Sequence, residues 1–206
     1  MKKVFCHIGN PKAFSTSIQS YLNMCHKKGK VFYRGFCPSE NIDQWYSDEN
    51  ISTILNYNLR YENKLSFLEN KEFIRSYFDN CYEKCGDDID FWISSENISM
   101  RFILEDIDYY EKFYRIQNVL PKKTTFIIIF RNIWHSLRAI YKEYLKVGYT
   151  KCFDGFCRET FLFRDSNFVS SLIPSIMIKF LKNNLINENK LLPFIIDDTY
   201  GSKGLL

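Results

Sequence analysis

The run Thr124-Thr125-Phe126-Ile127-Ile128-Ile129-Phe130 constrains the fold more than any other stretch of the chain. Its β-branched and aromatic residues follow one another without polar alternation, the pattern of a strand buried on both faces in the centre of a parallel sheet. A strand of that kind belongs to a layered α/β domain, with helices on both sheet faces. Arg131 stands at its carboxyl end. Trp134, Leu137, Ala139, Ile140, Tyr141, Tyr144 and Leu145 then recur at helical spacing up to Gly148, which suits a helix stop.

A second strand-turn-helix unit opens the chain. Val4-Phe5-Cys6 has strand length and composition, and Gly9 with Pro11 ends it. From Ser15 onward Ile18, Tyr21 and Leu22 recur at helical spacing, so a helix is expected to start beside Ser15, Thr16 and Ser17. A helix start offers unpaired N–H groups and the positive end of its dipole. Together with the three hydroxyls and the Lys12 ammonium it forms a cradle for an anion. It is not a Walker loop: three residues separate Lys12 from Thr16, and the second glycine is missing. Without a ligand, the same segment reads as a strand-turn-helix with a Ser/Thr cap.

His7-Ile8-Gly9-Asn10-Pro11-Lys12-Ala13-Phe14-Ser15-Thr16-Ser17-Ile18-Gln19 resembles the 5′-phosphosulfate loop of sulfotransferases that use 3′-phosphoadenosine 5′-phosphosulfate (PAPS), whose bacterial and carbohydrate-type members carry H-I-G-x-P-K-T-G-T-T-S-L-Q. The unit Phe130-Arg131-Asn132 through Gly148 is similar to their 3′-phosphate motif, a strand followed by R-N-P/Q-x-x-x-x-x-S-x-Y. The resemblance implies a three-layer α/β/α domain with a mainly parallel sheet, of the P-loop nucleoside-triphosphate-hydrolase-like kind, over residues 1–206. It is strongest over residues 3–150. It also implies PAPS as donor and adenosine 3′,5′-bisphosphate as product. Gly9, Asn10, Pro11, Lys12, Ala13, Phe14, Ser15, Thr16 and Ser17 would hold the phosphosulfate, and Arg131 would hold the 3′-phosphate, where a planar guanidinium forms paired charge-assisted bonds. Two departures stand out. Phe14 replaces a small residue, and Ala139 takes the position of the phosphate-binding serine, leaving Ser136 or Arg138 to substitute for it. Losing one hydrogen bond to a charged group would cost about 1.5–3 kcal/mol.

Ile89-Asp90-Phe91-Trp92-Ile93-Ser94-Ser95-Glu96 reads as another short strand, ending in hydroxyls and a carboxylate. Ligands collect at the carboxyl ends of strands in open α/β sheets, so Ser94, Ser95 and Glu96 are expected to face the same crevice as residues 9–17. Glu96 is the candidate general base for an acceptor hydroxyl, against the alternative of a helix-capping carboxylate. His7 is a rival base, with a hydrogen-bonded structural role as its alternative. Lys12 would neutralise charge on the leaving oxygen. For Arg131 the competing reading is a surface salt bridge.

The other features set bounds. Residues 38–88 are polar and helix-friendly, with Trp45, Ile51, Leu55, Leu59, Leu65, Leu68, Phe73, Ile74 and Phe78 suggesting amphipathic helices that shape the acceptor pocket. Residues 168–192 read as helix and Leu191–Ile196 as strand. Asp197 and Asp198 begin a loop, and Gly201-Ser202-Lys203-Gly204 is a faint echo of a later basic loop in the family. A truncated or divergent C-terminal part fits a degenerate enzyme. A net charge of +4 without a basic stripe favours an anionic small ligand over nucleic acid. Seven cysteines without a C-x-x-C pair suit reduced thiols in the cytoplasm. Cys81 and Cys85 share a helical face, yet they lack the further ligands of a zinc site, so no metal is expected. No apolar run reaches the ~18–20 residues that span a bilayer, and no leader pattern opens the sequence.

The expected activity is sulfuryl transfer from PAPS to a hydroxyl or amine of a glycan or small molecule. Two alternatives belong to other classes: a catalytically degenerate binding protein of the same fold, and an ATP-dependent P-loop phosphotransferase with Asp197 or Asp198 on magnesium. Acceptor identity and oligomeric state are not encoded in any motif.

Overall fold

Five strands, β1 (Val4–His7), β2 (Val31–Gly35), β3 (Asp90–Ser94), β4 (Thr125–Arg131) and β5 (Lys190–Ile196), form one parallel sheet in the order β2-β3-β1-β4-β5. They come from a computed structural model that describes residues 2–10, 12–37, 46–99, 107–162 and 166–196. Pro11, Trp45, the aspartates 197 and 198 and the glycine loop after them lie outside the described residues. Four strands fall where the sequence puts them. β2 was not expected, although Val31-Phe32-Tyr33 between Gly29 and Gly35 carries a strand signature.

Eight α-helices connect and cover the described strands: α1 (Ser15–Lys27), α2 (Glu49–Thr53), α3 (Lys64–Lys84), α4 (Tyr109–Val119), α5 (Ile133–Lys146), α6 (Phe153–Leu162), α7 (Ser166–Leu172) and α8 (Pro174–Asn183). The helix expected through residue 192 therefore ends at Asn183, and a turn with left-handed Asn187 and Glu188 leads into β5. α4 and α6 were not read from the sequence.

Parallel neighbours in register share a sheet face. Cys6 lies beside Ile93 and Phe126, and with Val4, Phe91 and Ile128 they form one face, fully buried under Phe67, Ile74 and Phe78 of α3, Phe113 and Ile116 of α4 and Met177 and Leu181 of α8. The other face is built from Phe5, His7, Trp92, Ser94, Thr125 and Ile127, with Phe5 stacked on Trp92 at 4.5 Å. β4 therefore alternates between buried Phe126, Ile128 and Phe130 and half-buried Ile127 and Ile129. The expectation of burial on both faces holds fully for one face. A second apolar cluster joins α5, α6 and α7 through Leu137, Ile140, Phe156, Phe168 and Leu172.

Periodicity placed the helices better than it placed their buried sides. Leu65, Leu68 and Phe73 are exposed, and α3 buries Phe67, Ile74, Phe78 and Cys81 instead. Cys85 caps α3 and donates from Sγ to the Ile89 carbonyl at 2.8 Å, and no metal-holding cluster occurs among the described residues. Phe126 touches Phe113 edge-on at 5.1 Å in the centre of the core. Phe126→Ala is expected to lower the unfolding free energy by about 3–5 kcal/mol. Leu65→Ala, at a side chain 74% exposed, should stay within about 0.5 kcal/mol. Urea denaturation of both variants checks the pair.

Candidate functional site

The chain leaves β1 toward β2 on one side and leaves β4 toward β5 on the other, so a crevice opens between the carboxyl ends of β1 and β4. The loop after β1 and Arg131 both sit at that edge. Three loop residues take left-handed backbone: Gly9 at φ 45°, Lys12 at 59° and Phe14 at 63°. Gly9 has two reasons to be glycine, because a Cβ there would lie 2.4 Å from the Glu96 Cα.

α1 starts at Ser15, as expected, but its cap is Phe14, which offers no side-chain hydrogen bond to the first-turn N–H groups. The sequence alternative of a Ser/Thr cap is thus overturned. α1 also buries an unusual stripe. Instead of Ile18 and Tyr21, it turns Ser15, Gln19, Leu22 and Cys25 inward, and Tyr21 is exposed. The polar half of that stripe lies at the crevice. Ser15 Oγ, Gln19 Oε1 and Asn10 Oδ1 are buried without a hydrogen-bond partner among the described residues. Asn10 Nδ2 donates to the Ser171 carbonyl at 3.0 Å, which ties the loop to α7. Buried polar atoms are normally satisfied, so these oxygens, together with an uncapped helix start, describe a binding surface. Thr16 and Ser17 are exposed on the first turn, and Ala13 is fully buried beneath the loop.

The β1 loop and the strand-end arginine meet. The Arg131 guanidinium carbon lies 5.5 Å from the Phe14 ring centroid, so the bulky loop residue packs as a cation–π partner of the strand-end arginine. Lys12 reaches across to α5, where its Nζ is 3.2 Å from Glu143 Oε1, and Lys146 binds the same carboxylate. The hydrogen bond from Lys12, followed by that from Lys146, holds the Glu143 carboxyl below the usual range. Ser136 is buried one turn into α5, and Ala139 is half-buried on the same helix. Arg138, the other potential substitute for the missing serine, points to Phe153 of α6, with 6.0 Å between guanidinium and ring. Asn132 caps α5 by accepting from the Trp134 N–H.

Glu96 follows β3 in a turn. Residues 95–99 form no helix, so the capping alternative is not realised there. This turn is fastened to the β1 loop. Ser95 N–H donates to the His7 carbonyl at 2.9 Å, Ser99 Oγ donates to the Gly9 carbonyl, and buried Lys112 of α4 donates to the Asn97 carbonyl at 3.1 Å. His7 lies beneath the crevice, 1% exposed, with Nδ1 2.9 Å from Ser94 Oγ, which also accepts from Gln19 Nε2 at 3.3 Å. Burial pushes the His7 imidazole down to about 4.

Beside Glu96 opens a cleft of about 300 Å³. Gln19, Ser94, Ser95, Asn97, Phe36, Tyr46, Asn56 and Arg60 line it together with Glu96. Tyr46, Asn56 and Arg60 fall within residues 38–88, the region expected to shape a pocket, although the sequence reading singles out none of the three. Asn56 belongs to a π-helical segment (Ile54–Asn58), and Arg60 follows it, with the wide turn marked by the Leu59 N–H to Ile54 carbonyl bond at 3.0 Å. A π turn breaks the 3.6-residue register on which side-chain placement is read, so periodicity carried no signal for these two residues. Gln19 was within reach of it, since its i,i+4 relation to Ser15 marks a shared polar face.

No protein-family profile and no curated protein sequence matches this chain. Among solved structures, the fold is similar to that of a sulfotransferase from Alicyclobacillus acidocaldarius. The TM-score is 0.51 at 9% identity, covering 95% of this chain and 73% of that one. At that identity the likeness shows a shared α/β fold with a parallel central sheet, and no helix among the described residues is long and apolar enough to cross a membrane.

His7 gives the site a measurable signature. The unfolded imidazole takes a proton near pH 6.5 and the folded one only near 4. Between those values the unfolded state binds more protons, so stability falls as the pH drops through the window, by about 3 kcal/mol from this group. His7→Gln is expected to remove most of that slope, read as the difference between wild-type and variant urea midpoints at pH 7 and pH 4.5.

Proposed function

We propose that the protein transfers a sulfuryl group from PAPS to an acceptor hydroxyl. The observation that carries this reading is the start of α1: a first turn whose cap residue, Phe14, gives its N–H groups no side-chain acceptor, beside the buried Ser15 hydroxyl, which can donate, and within one side chain of a strand-end arginine. That arrangement fits a ligand with two separate anionic ends. The likeness in fold to a sulfotransferase supports the choice of donor.

In this reading the N–H groups of Ser15, Thr16 and Ser17 and the Ser15 hydroxyl hold the sulfate-bearing 5′ end. Gly9, Asn10, Pro11, Ala13 and Phe14 shape the loop around it, and Arg131 with Ser136 receives the 3′-phosphate beside Ala139. When bound, PAPS supplies a sulfur that bonds to the acceptor oxygen while its bond to the 5′-phosphate oxygen breaks. Lys12 leaves Glu143 and stabilises the negative charge on that leaving oxygen. The exchange is cheap, because an exposed ion pair contributes at most about 1 kcal/mol. Glu96 takes the acceptor proton. His7 is too deeply buried and too weakly basic to serve as a base at neutral pH, so we assign it to holding Ser94 in place. No metal is needed, since the lysine, the arginine and the helix start supply the positive charge. The protein acts on a glycan or small-molecule hydroxyl as a cytoplasmic enzyme.

Calorimetry with adenosine 3′,5′-bisphosphate tests the donor. Wild-type protein is expected to bind, and Arg131→Ala to bind about ten- to a hundred-fold more weakly. Absence of wild-type binding overturns the proposal, and a thermal shift with ATP and magnesium in its place supports a phosphotransferase. Transfer of labelled sulfate from PAPS then separates an enzyme from a binding protein of the same fold. Glu96→Gln should lower the transfer rate by about a hundred-fold or more while leaving bisphosphate binding intact.

A further inference from the structure

The π-helical segment changes which carbonyls its N–H groups reach. Leu59 N–H donates to the Ile54 carbonyl at 3.0 Å and Glu62 N–H to the Tyr57 carbonyl at 3.2 Å, each five residues back. In an α-helix Glu62 N–H would instead bond the carbonyl of Asn58, four residues back. That carbonyl receives its hydrogen bond from outside the segment. Arg115 of α4 donates from Nη1 to the Asn58 carbonyl at 2.9 Å and to the Glu62 carbonyl at 2.7 Å. Arg115 is 1% exposed, with its Nε 2.9 Å from Glu111 Oε1 and its guanidinium carbon 4.5 Å from the Phe67 ring centroid. The Asn58 side chain fastens the same turn, donating to buried Glu62 Oε2 at 3.0 Å, while Glu62 Oε1 accepts from Asn70 at 2.6 Å.

From these bonds we propose that Arg115 is a positioning residue for the cleft beside Glu96. It supplies the Asn58 carbonyl with the donor that the π register takes away, and so locks the segment in the form that brings Asn56 and Arg60 to the cleft. Both residues line that cleft with Glu96. Asn56 stands two residues before Asn58, and Arg60 stands midway between the two carbonyls that Arg115 holds. Wide turns are rare, because the α register satisfies each carbonyl from within the helix. Without the guanidinium, Glu62 N–H moves to the Asn58 carbonyl, and Arg60 turns by about 100° around the helix axis relative to α2. Burial makes the lock effective, since water would satisfy an exposed carbonyl and remove the preference for either register. Arg115 is not among the residues that line the cleft, so it acts through Asn56 and Arg60. Its bearing on catalysis rests on the sulfotransferase reading, in which this cleft takes the acceptor.

Through-hydrogen-bond NMR couplings, measured on the isotope-labelled whole chain without cofactor, read the register directly. The wild type is expected to couple the Glu62 nitrogen to the Tyr57 carbonyl carbon, and Arg115→Met to couple it to that of Asn58. Arg115→Lys, which retains the charge and the donors, should keep the wild-type pattern. Arg115→Gln, with an amide two bonds shorter, serves the same comparison if the methionine variant does not fold. A wild type without the Tyr57 coupling, a methionine or glutamine variant that keeps it, or a lysine variant that loses it overturns the proposal. The consequence for the site is read with labelled PAPS and two acceptor probes, para-nitrophenol and methyl β-glucoside. For whichever probe the wild type sulfates faster, Arg115→Met is expected to raise KM about ten-fold while bisphosphate affinity stays within about two-fold. An unchanged KM overturns the positioning role. Transfer to neither probe counts against the sulfotransferase reading alone, since the couplings need no cofactor and decide the register by themselves.

Discussion

Because β1 pairs in parallel with β3 on one side and β4 on the other, three segments far apart in sequence end side by side: the loop after His7, the turn after Ser94 and the residue Arg131. The rest of the site depends on how closely the first two approach. Glu96 packs so tightly on Gly9 that no side chain fits between them, and Ser95 and Ser99 bond directly to the backbone of the β1 loop. The candidate base and the candidate anion cradle are therefore one rigid unit, placed by backbone rather than by flexible side chains.

Polar burial supports that unit and also marks it. A helix that only covers a sheet would turn apolar residues inward along its whole length. α1 does so at Leu22 and Cys25 but begins with Ser15 and Gln19, leaving oxygens without a hydrogen-bond partner among the described residues. Beneath them, His7, Ser94 and Gln19 form a short hydrogen-bonded chain in which an imidazole stays neutral because burial disfavours its charge. Unsatisfied polar atoms weaken folding, so their concentration at one helix start is the strongest physical mark of a ligand in the molecule.

The two departures from the sulfotransferase motifs take different forms in three dimensions. Phe14 adopts the left-handed cap position and shields Arg131 with its ring, so its bulk is absorbed outside the helix axis. Beside Ala139, Arg138 rests with its guanidinium carbon 6.0 Å from the Phe153 ring. Lys12 rests on Glu143 with its charge already balanced. The exposure of both partners keeps that contact weak.

The sequence alone determined the strand-turn-helix at residues 4–27, the central strand with Arg131 and its following helix, the strand that delivers Glu96, and the α/β class that unites them. Those features were readable because each rests on local chemistry: apolar runs, glycine turns and helical spacing. β2, α4 and α6 had weaker local patterns, and the buried sides of α1 and α3 followed from what packs against them rather than from periodicity. Only the tertiary structure decided that Phe14 meets Arg131, that Lys12 pairs with Glu143, and that a π-helical segment brings Asn56 and Arg60 to the cleft beside Glu96. Contacts of this kind join residues tens of positions apart. They are set by sheet order and by a broken helical register, neither of which leaves a trace in the spacing of residues along the chain.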